Sequence, residues 1–296
     1  MHNFARRLLA SRTVAFFLFA LASPLHALAD ALKRRIIRHV RRNGGRVVYD
    51  GVPLIFPPNV GVGFSSSIAW RGVRGFEPYT WREIKARIPS VGTFIDVGAN
   101  IGFYSVLAKK IAPRVDVISF EPLPDNCSKA DAFHRSNRVE PNIKQLALGD
   151  FDGMATLYQP GSELESTAAT LRPDSWQARK GHISHRVPVA RLDTLMADRA
   201  LSAPVLMKID VEDNEAAVIS GARETIRKYR PTIVCEILPR EHHNAATLDL
   251  LSELGYVAYA ILAEGCFRVD AADFTRPRAF VDFLLVPKEM ARAHYI

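Results

Sequence analysis

The chain has 296 residues, of which 48% are hydrophobic and 24% are charged, a composition typical of a globular protein with a sizeable core. Its formal net charge of +8 belongs to residues 1–46, which hold ten Lys and Arg side chains against one Asp, so the remainder is nearly neutral. A nearly neutral folded domain argues against nucleic acid as the partner. The three cysteines have no paired spacing, which argues against a disulfide scaffold or a zinc site and favours a reducing compartment.

Residues 1–45 are predicted to form an extension ahead of the folded domain. Basic residues precede an apolar run at 14–21, which is too short to span a bilayer as a helix. Three interpretations stay open: a secretory signal with a cleavage-type sequence at 27–29, an interfacial helix on an anionic membrane, and a lead-in that packs on the domain or is disordered. The basic cluster at 33–42 opposes translocation, so we favour a cytoplasmic protein that contacts the inner face of the membrane over a secreted one.

The next segment, 46–92, is predicted to lead into the main domain with short strands over 46–60, a Gly- and Ser-rich loop over 61–75 and a short helix over 80–87.

From residue 93 onward, strand-type and helix-type patterns alternate. Strands are predicted at 93–97, 115–120, 142–147, 205–211 and 232–237, and helices at 101–111, 124–136, 214–228 and 242–254. Exposed strands at 150–158 and 186–192 are predicted to flank a polar loop or lid at 160–185, and strands at 256–261 and 280–286 to close the chain as an antiparallel pair. The alternation predicts an α/β domain over 93–290, with a mainly parallel sheet covered by helices on both faces.

A glycine-rich turn follows the first of these strands, with the pattern Asp96-x-Gly98-x-Asn100-x-Gly102. Such a turn brings the backbone close to a ligand at the start of a helix. A dinucleotide fingerprint would place a third glycine where Asn100 stands. The acid at the strand end repels a phosphate and suits a ligand with an amine, such as the methionine end of S-adenosylmethionine. Ala99 and Phe103 belong to the same predicted cofactor loop.

Two further positions suit the nucleoside part of this cofactor, its ribose and its adenine. Glu121, followed by Pro122, ends the second strand 25 residues after Asp96, where an acid typically receives the two ribose hydroxyls. The run Leu148-Gly149-Asp150 follows the third strand, where the adenine ring is expected. There Gly149 permits close approach and Asp150 can accept from the adenine amino group.

A charged triplet marks the strand at 205–211. Lys208, Asp210 and Glu212 occupy alternate positions, so they lie on one side of an extended chain, at the end of a parallel strand where open α/β sheets bind ligands. We interpret the triplet as catalytic. The alternative is a structural ion pair between Lys208 and one acid.

Weaker candidates lie elsewhere in the chain. His182 and His185, three residues apart, could act as a base or a metal ligand, or could be solvated loop residues. Glu236 ends a buried strand and is either an acid of the site or a capping acceptor.

Six motifs occur in an order that resembles a known family. They are Phe94–Ser105, Ser119–Pro122, Ala147–Asp150, Leu192–Leu195, Lys208–Glu212 and Ser220–Ala222. Over roughly residues 75–240 the chain resembles the FkbM family of S-adenosylmethionine-dependent methyltransferases. The resemblance implies a seven-stranded, Rossmann-like class I methyltransferase fold. It also implies methyl transfer to a hydroxyl of a sugar, a glycan or glycolipid, or a natural product.

The resemblance also implies roles for individual residues. The loop of Asp96, Gly98, Asn100 and Gly102 would hold the methionine end, Glu121 the ribose, and Asp150 the edge of the adenine. The chain departs from the family at Asp213, where a glycine is usual. If the usual glycine serves a left-handed turn, Asp213 can replace it, because Asp tolerates that conformation better than most residues. If the glycine instead lets the acceptor approach closely, the side chain of Asp213 puts activity in doubt.

The reaction expected from these residues is an in-line displacement in which a base removes the proton of the attacking hydroxyl. The candidate bases are Asp210 and Glu212, with His185 behind them, and no metal is required. Two other functions stay open: a nicotinamide-dependent oxidoreductase on a similar sheet, and a non-catalytic, membrane-associated binding protein on the same fold.

Overall fold

The structure is a computed structural model that describes residues 31–159, 169–173, 182–238, 241–270 and 281–291, apart from positions 33, 36 and 40 and the side chains of residues 64 and 241–246. The apolar run at 14–21, the sequence at 27–29 and most of the predicted lid lie outside these residues. Within them, no helix has both the length and the apolarity needed to cross a membrane.

The described elements follow the predicted alternation. After a helix that ends at Asn43, the strands are β1 Gly45–Tyr49, β2 Val52–Phe56, β3 Thr93–Val97, β4 Asp116–Phe120, β5 Ile143–Lys144, β6 Ala147–Leu148, β7 Gly153–Gln159, β8 Ile183–Ala190, β9 Val205–Ile209, β10 Thr232–Glu236, β11 Tyr256–Ile261, β12 Cys266–Arg268 and β13 Asp282–Pro287. The helices are α1 Val62–Arg71, α2 Pro78–Arg87, α3 Phe103–Ile111, α4 Pro124–Ser136, α5 Leu192–Leu195, α6 Glu215–Gly221, α7 Arg223–Tyr229 and α8 Glu241–Glu253.

The central sheet has the strand order β12-β11-β13-β10-β9-β3-β4-β5. The five strands from β10 to β5 run parallel to one another, and β13, β11 and β12 close the sheet in antiparallel fashion. The prediction of a mainly parallel sheet is therefore confirmed, but the predicted number of seven strands is wrong, since the sheet has eight. The predicted closing pair corresponds to β11 and β13. The edge strand β12 has three residues, too few to show a period in the sequence.

Helices cover both faces of this sheet. One hydrophobic cluster joins α2 and α3 to the sheet and includes Tyr49 and Phe56 of the β1–β2 hairpin, so the lead-in segment packs into the main core. A second cluster joins α6, α7 and α8 to the opposite face. Burial of two large apolar layers drives this three-layer arrangement.

Three local predictions are corrected. The loop predicted at 61–75 contains α1, followed by a short 3₁₀ turn. The strand predicted at 142–147 is divided between the central sheet and a separate three-stranded sheet of order β6-β8-β7. The helix predicted at 214–228 breaks at Ala222, next to Gly221. A side chain on Gly221 would overlap the carbonyl of Gly149, so close approach to the neighbouring loop favours glycine at this break.

The register of the sheet places the predicted site residues together. Asp96 on β3 pairs with Lys208 on β9, and Val97 pairs with Phe120 on β4, the residue before Glu121. Parallel strands end at a common edge, so the carboxyl ends of β3, β4 and β9 deliver their polar residues to one place.

Candidate active site

A cleft lies at this edge of the sheet, with about 560 Å³ of empty space when the open solvent at its mouth is included. The predicted site residues in its lining are Gly98, Asn100, Glu121, Pro122, Leu148, Asp210 and Glu212. The cleft therefore joins residues from the glycine turn, the end of β4, the loop after β6 and the end of β9. The other predicted residues lie around the lining rather than in it.

The glycine turn has the left-handed backbone that its residue types suggest. The φ angles are 77° at Gly98, 51° at Asn100 and 71° at Gly102. The amide of Gly98 donates to the carbonyl of Phe120, which ties the turn to β4. A side chain on Gly98 would overlap the backbone carbonyl of Asp210, so glycine is needed here for close approach as well as for conformation.

Three hydrogen-bond donors hold the carboxyl of Glu121 at the wall of the cleft. Its Oε2 accepts from the amide of Asn100 at 2.9 Å, and its Oε1 accepts from the amide of Leu123 at 3.0 Å and from Nδ2 of Asn126 at 3.2 Å. Burial raises the pKa of this carboxyl to about 7, against the opposing effect of these donors. Its carboxyl is thus fixed in orientation before any ligand arrives. Asn126 also lines the cleft and was not predicted from the sequence.

Asp96 lies behind the glycine turn. Its side chain is 1% exposed, and one oxygen accepts from the hydroxyl of Ser105 at 2.6 Å. The other oxygen, Oδ1, has no hydrogen-bond partner among the described residues. Burial raises the pKa of Asp96, and the nearby ammonium of Lys208 opposes that rise.

The remaining residues of the predicted cofactor loop support it from outside the cleft. Ala99 is buried, and the imidazole of His134 packs against the Cα of Gly102. Phe103 is buried in the main core, where its ring contacts Tyr49 edge-on at 5.1 Å.

The end of the cleft beside Leu148 is apolar. Its walls include Ala147, from the motif Ala147–Asp150, and four side chains that the sequence did not single out: Leu146, Leu157, Ala169 and Leu171. Gly149 and Asp150 lie beyond this wall, and Asp150 is exposed. The aliphatic side chains at this end can therefore bind a flat ring through shape complementarity and dispersion contacts. Leu157 could have been found from the sequence, because it occupies an inward position of β7. Leu171 could not, because the polar segment around it has no periodic pattern.

Lys208 and Asp210 form the ion pair that was the structural alternative for the triplet, with Nζ and Oδ2 2.7 Å apart. Lys208 is 5% exposed, and its Nζ lies 4.9 Å from the ring centroid of Tyr104. Burial acts to lower the pKa of Lys208, but Asp210 and Glu77 outweigh it and raise that pKa above its usual value. Burial likewise acts to raise the pKa of Asp210, but Lys208 holds it below the usual value. Both groups are therefore charged.

Two acids that were not assigned to the triplet surround this pair. Glu77, at the start of α2, accepts from the hydroxyl of Tyr104 at 2.6 Å, and burial raises its pKa to about 7. Glu236, at the end of β10, has its pKa raised to about 10 by burial and by Asp210. In its protonated form Glu236 can donate to Asp210, whose carboxylate lies beside it.

Asp210, Glu212 and Glu236 bring their carboxylate oxygens within 4.8 Å of one another. Three oxygens at this separation could also hold a cation.

The turn after β9 is left-handed at two successive residues, with φ 51° at Glu212 and 77° at Asp213. Asp213 thus adopts the conformation for which the family's usual glycine is suited. Its amide donates to Oε1 of Glu215 at 3.1 Å, and the hydroxyl of Thr170 donates to the carbonyl of Glu212 at 2.6 Å.

The two histidines of the weaker set lie away from the cleft. Nε2 of His185 is 3.0 Å from Oε1 of Gln159, across β7 and β8. The ring of His182 meets Tyr158 edge-on at 5.2 Å. Neither histidine is in the lining of the cleft.

The mainly parallel sheet, the glycine turn after β3, the acid after β4 and the charged residues after β9 together define a Rossmann-like enzyme of the methyltransferase class. The methyltransferase FkbM domain matches residues 96–258, and the chain belongs to the FkbM methyltransferase family.

Two curated relatives agree with this membership. The 31-O-demethyl-FK506 methyltransferase FkbM of Streptomyces tacrolimicus is 30% identical over 192 residues, which cover 56% of this chain and 72% of that protein. Methyltransferase 1 of Beauveria bassiana is 23% identical over 191 residues, which cover 58% of this chain and 74% of that protein. A crystal structure of the methyltransferase FkbM from Methylobacillus flagellatus KT aligns with a TM-score of 0.40 at 16% identity, over 66% of this chain and 43% of that chain. This chain thus spans less than half the length of that structural neighbour.

Proposed function

We propose that this methyltransferase uses S-adenosylmethionine and methylates a hydroxyl of a sugar, a glycan or glycolipid, or a natural product. The observation that carries the cofactor assignment is the fixed carboxyl of Glu121, held by three donors at the wall of the cleft. A carboxylate has about four acceptor sites, so with three donors in place Oε2 can still accept from a ribose hydroxyl, and the negative charge disfavours a phosphate at the same place.

The residues present fit the other parts of this cofactor. The apolar wall around Leu148, Leu157 and Leu171 suits an adenine ring, and the carboxyls near the glycine turn suit the amino group and the positive sulfonium. Oδ1 of Asp96 is a buried acceptor with capacity to spare behind that turn. When bound, S-adenosylmethionine supplies a methyl group activated by its sulfonium.

Proton removal from the acceptor hydroxyl is assigned to the acids after β9. Asp210 is held as a carboxylate by Lys208, and Glu212 lines the cleft beside it. The carboxylate of Glu212 can take the hydroxyl proton as the oxygen attacks, whereas Lys208 orients Asp210 and lowers its pKa, which makes Asp210 the weaker base. Catalysis of this kind depends mainly on positioning, because the developing charges are small.

Oxygen as the methyl acceptor is supported by the relative from Streptomyces tacrolimicus, which is named as a methyltransferase for 31-O-demethyl-FK506. The test is a methyl-transfer screen with radiolabelled S-adenosylmethionine against glycans and lipids extracted from the source organism, with and without Mg²⁺. Label in an alkali-stable ether product would support the proposal. Label only on nitrogen or carbon would refute the choice of oxygen.

The nicotinamide alternative has little support from the sequence, since Asn100 stands where a dinucleotide fingerprint has its middle glycine. A peripheral contact of residues 1–45 with the inner face of the membrane remains a proposal. It is supported by the described part of the first helix, where Arg34, Arg35 and Arg38 are exposed, and by the sequence of residues 1–46, in which Asp30 is the one acid.

A further inference from the structure

A short segment of extended chain, residues 169–171, crosses the apolar end of the cleft. Ala169 and Leu171 line the cleft, while Thr170 between them is fully buried. The amide and carbonyl of Thr170 both pair with Tyr158 of β7, at 2.9 and 2.8 Å. The backbone of the segment is thus anchored on the small three-stranded sheet, on one side of the cleft.

The side chain of Thr170 reaches the other side of the cleft. Its hydroxyl donates to the carbonyl of Glu212 at 2.6 Å and accepts from the amide of Arg172 at 3.3 Å. The carbonyl belongs to the turn in which Glu212 and Asp213 are both left-handed. Such a conformation is costly for residues other than glycine and persists only where the surroundings hold it.

We propose that Thr170 is a positioning residue that links cofactor binding to the placement of Glu212. Its hydroxyl holds the 169–171 segment against the turn after β9. This one hydrogen bond therefore fixes the position of the apolar wall of the cleft relative to the proposed base, Glu212. The role in catalysis depends on the proposed function, whereas the contact itself does not.

The chain offers a matched control at the opposite end of the sheet. The hydroxyl of Thr93 donates to the carbonyl of Ser202 at 2.9 Å and accepts from the amide of the same residue at 3.0 Å. Thr93 is also fully buried. Thr93→Val therefore removes the same kind of hydrogen bond at a position remote from the cleft. Its properties show the effect of losing such a bond where only the stability of the fold is concerned.

The first arm of the experiment uses the full chain without any ligand. Hydrogen exchange is followed by mass spectrometry in peptides that contain residues 205–215, for the wild type, Thr170→Val, Thr170→Ser and Thr93→Val. Loss of one neutral hydrogen bond corresponds to about a three- to tenfold change in a local opening equilibrium. Thr170→Val should speed exchange at the turn after β9 by that factor, and Thr170→Ser should restore it.

The second arm measures S-adenosylmethionine affinity by calorimetry and turnover at saturating cofactor. Thr170→Val should weaken affinity about three- to tenfold and lower turnover as well, while Thr93→Val lowers only the melting temperature. Unchanged exchange and affinity in Thr170→Val, or equal losses in Thr93→Val, would overturn the inference. If exchange responds as expected but the wild type binds no S-adenosylmethionine, the contact stands and the proposed function fails.

Discussion

The backbone carbonyl of Asp210 occupies the space that a side chain on Gly98 would need. The two residues lie in different motifs, and the amide of Asp210 also donates to the carbonyl of Val97 at 3.1 Å. The glycine turn after β3 and the charged residues after β9 are therefore built directly against each other. This contact brings the proposed cofactor loop and the proposed base to one point of the cleft.

Gly98→Ala should disrupt this contact. The added methyl group meets the carbonyl of Asp210, and the φ of 77° is itself unfavourable for alanine. We expect a loss of roughly 1–3 kcal/mol in the free energy of unfolding together with loss of cofactor binding. Gly63→Ala is the control, because Gly63 lies in α1 with open space around its Cα and should be neutral or slightly stabilised. Urea unfolding measures the free energy of unfolding of both variants. Equal values for Gly98→Ala and Gly63→Ala would contradict the expectation.

Glu236 should make stability depend on pH. Its carboxyl keeps its proton in the folded protein up to a pKa of about 10 but would lose it near pH 4.5 in the unfolded chain. The folded state therefore binds more protons between these values, and stability falls as pH rises through that window. Asp210, Glu212 and Asp282 face this carboxyl and oppose its ionisation.

Glu236→Gln keeps a donor toward Asp210 and removes the titration. The free energy of unfolding of the variant should therefore rise relative to that of the wild type as pH rises. The difference should be small near pH 4.5 and about 1–3 kcal/mol at pH 9. Urea unfolding at pH 5, 7 and 9 provides the measurement. A constant offset between the two proteins across this range would show that Glu236 does not hold its proton in the folded state.

Glu212→Gln tests the assignment of the base. Removing a general base typically lowers turnover by about 10²–10⁴-fold, and cofactor affinity should change little. Asp210→Asn should lower turnover too, and it also removes the charge that balances Lys208. Glu224→Gln is a matched surface control. Near-normal turnover in both amide variants would place the base elsewhere, whereas a loss confined to cofactor affinity would assign Glu212 to the cofactor shell.

Deletion of residues 1–40 should leave a folded domain that binds cofactor, because Val47 is the first residue of the main core in the described part of the chain. The full chain should bind vesicles that contain anionic lipid, with binding that weakens as salt rises, and the deleted form should not. Co-sedimentation with anionic and zwitterionic vesicles at two salt concentrations makes the comparison. Equal binding of both proteins would exclude the extension as the membrane contact, and recovery of the mature protein outside the cytosol with a new N-terminus at Asp30 would favour the secretory interpretation.

The strands that end at Val97 and Phe120 could be predicted with their final residues, because a buried strand gives a short apolar run and its end is marked by a polar side chain. The strand predicted at 205–211 ends earlier, at Ile209, and Glu212 lies in the turn that follows. Glu77 and Leu171 were missed because neither carries a local signal. The first follows a Gly- and Ser-rich stretch, the second lies in a polar stretch, and both reach the site through contacts distant in sequence.

The roles of the acids near β9 also depended on three-dimensional contacts. The sequence identified Asp210 and Glu212 as neighbours, but the carboxyl with the strongly raised pKa is that of Glu236, on a different strand. Alternation along one strand shows which side chains share a face, but it does not show what the next strand places opposite them.

Calorimetric titration with S-adenosylmethionine, for the wild type and Glu121→Gln, tests the central claim most directly. The wild type should bind S-adenosylmethionine but not NADH. Its affinity should rise with pH through about 7, because burial sets the pKa of Glu121 there and the carboxylate is the form that accepts from a ribose. Glu121→Gln should bind roughly ten- to a hundredfold more weakly, without that pH dependence. Equal affinity of the two proteins, or binding of NADH in preference to S-adenosylmethionine, would contradict the account.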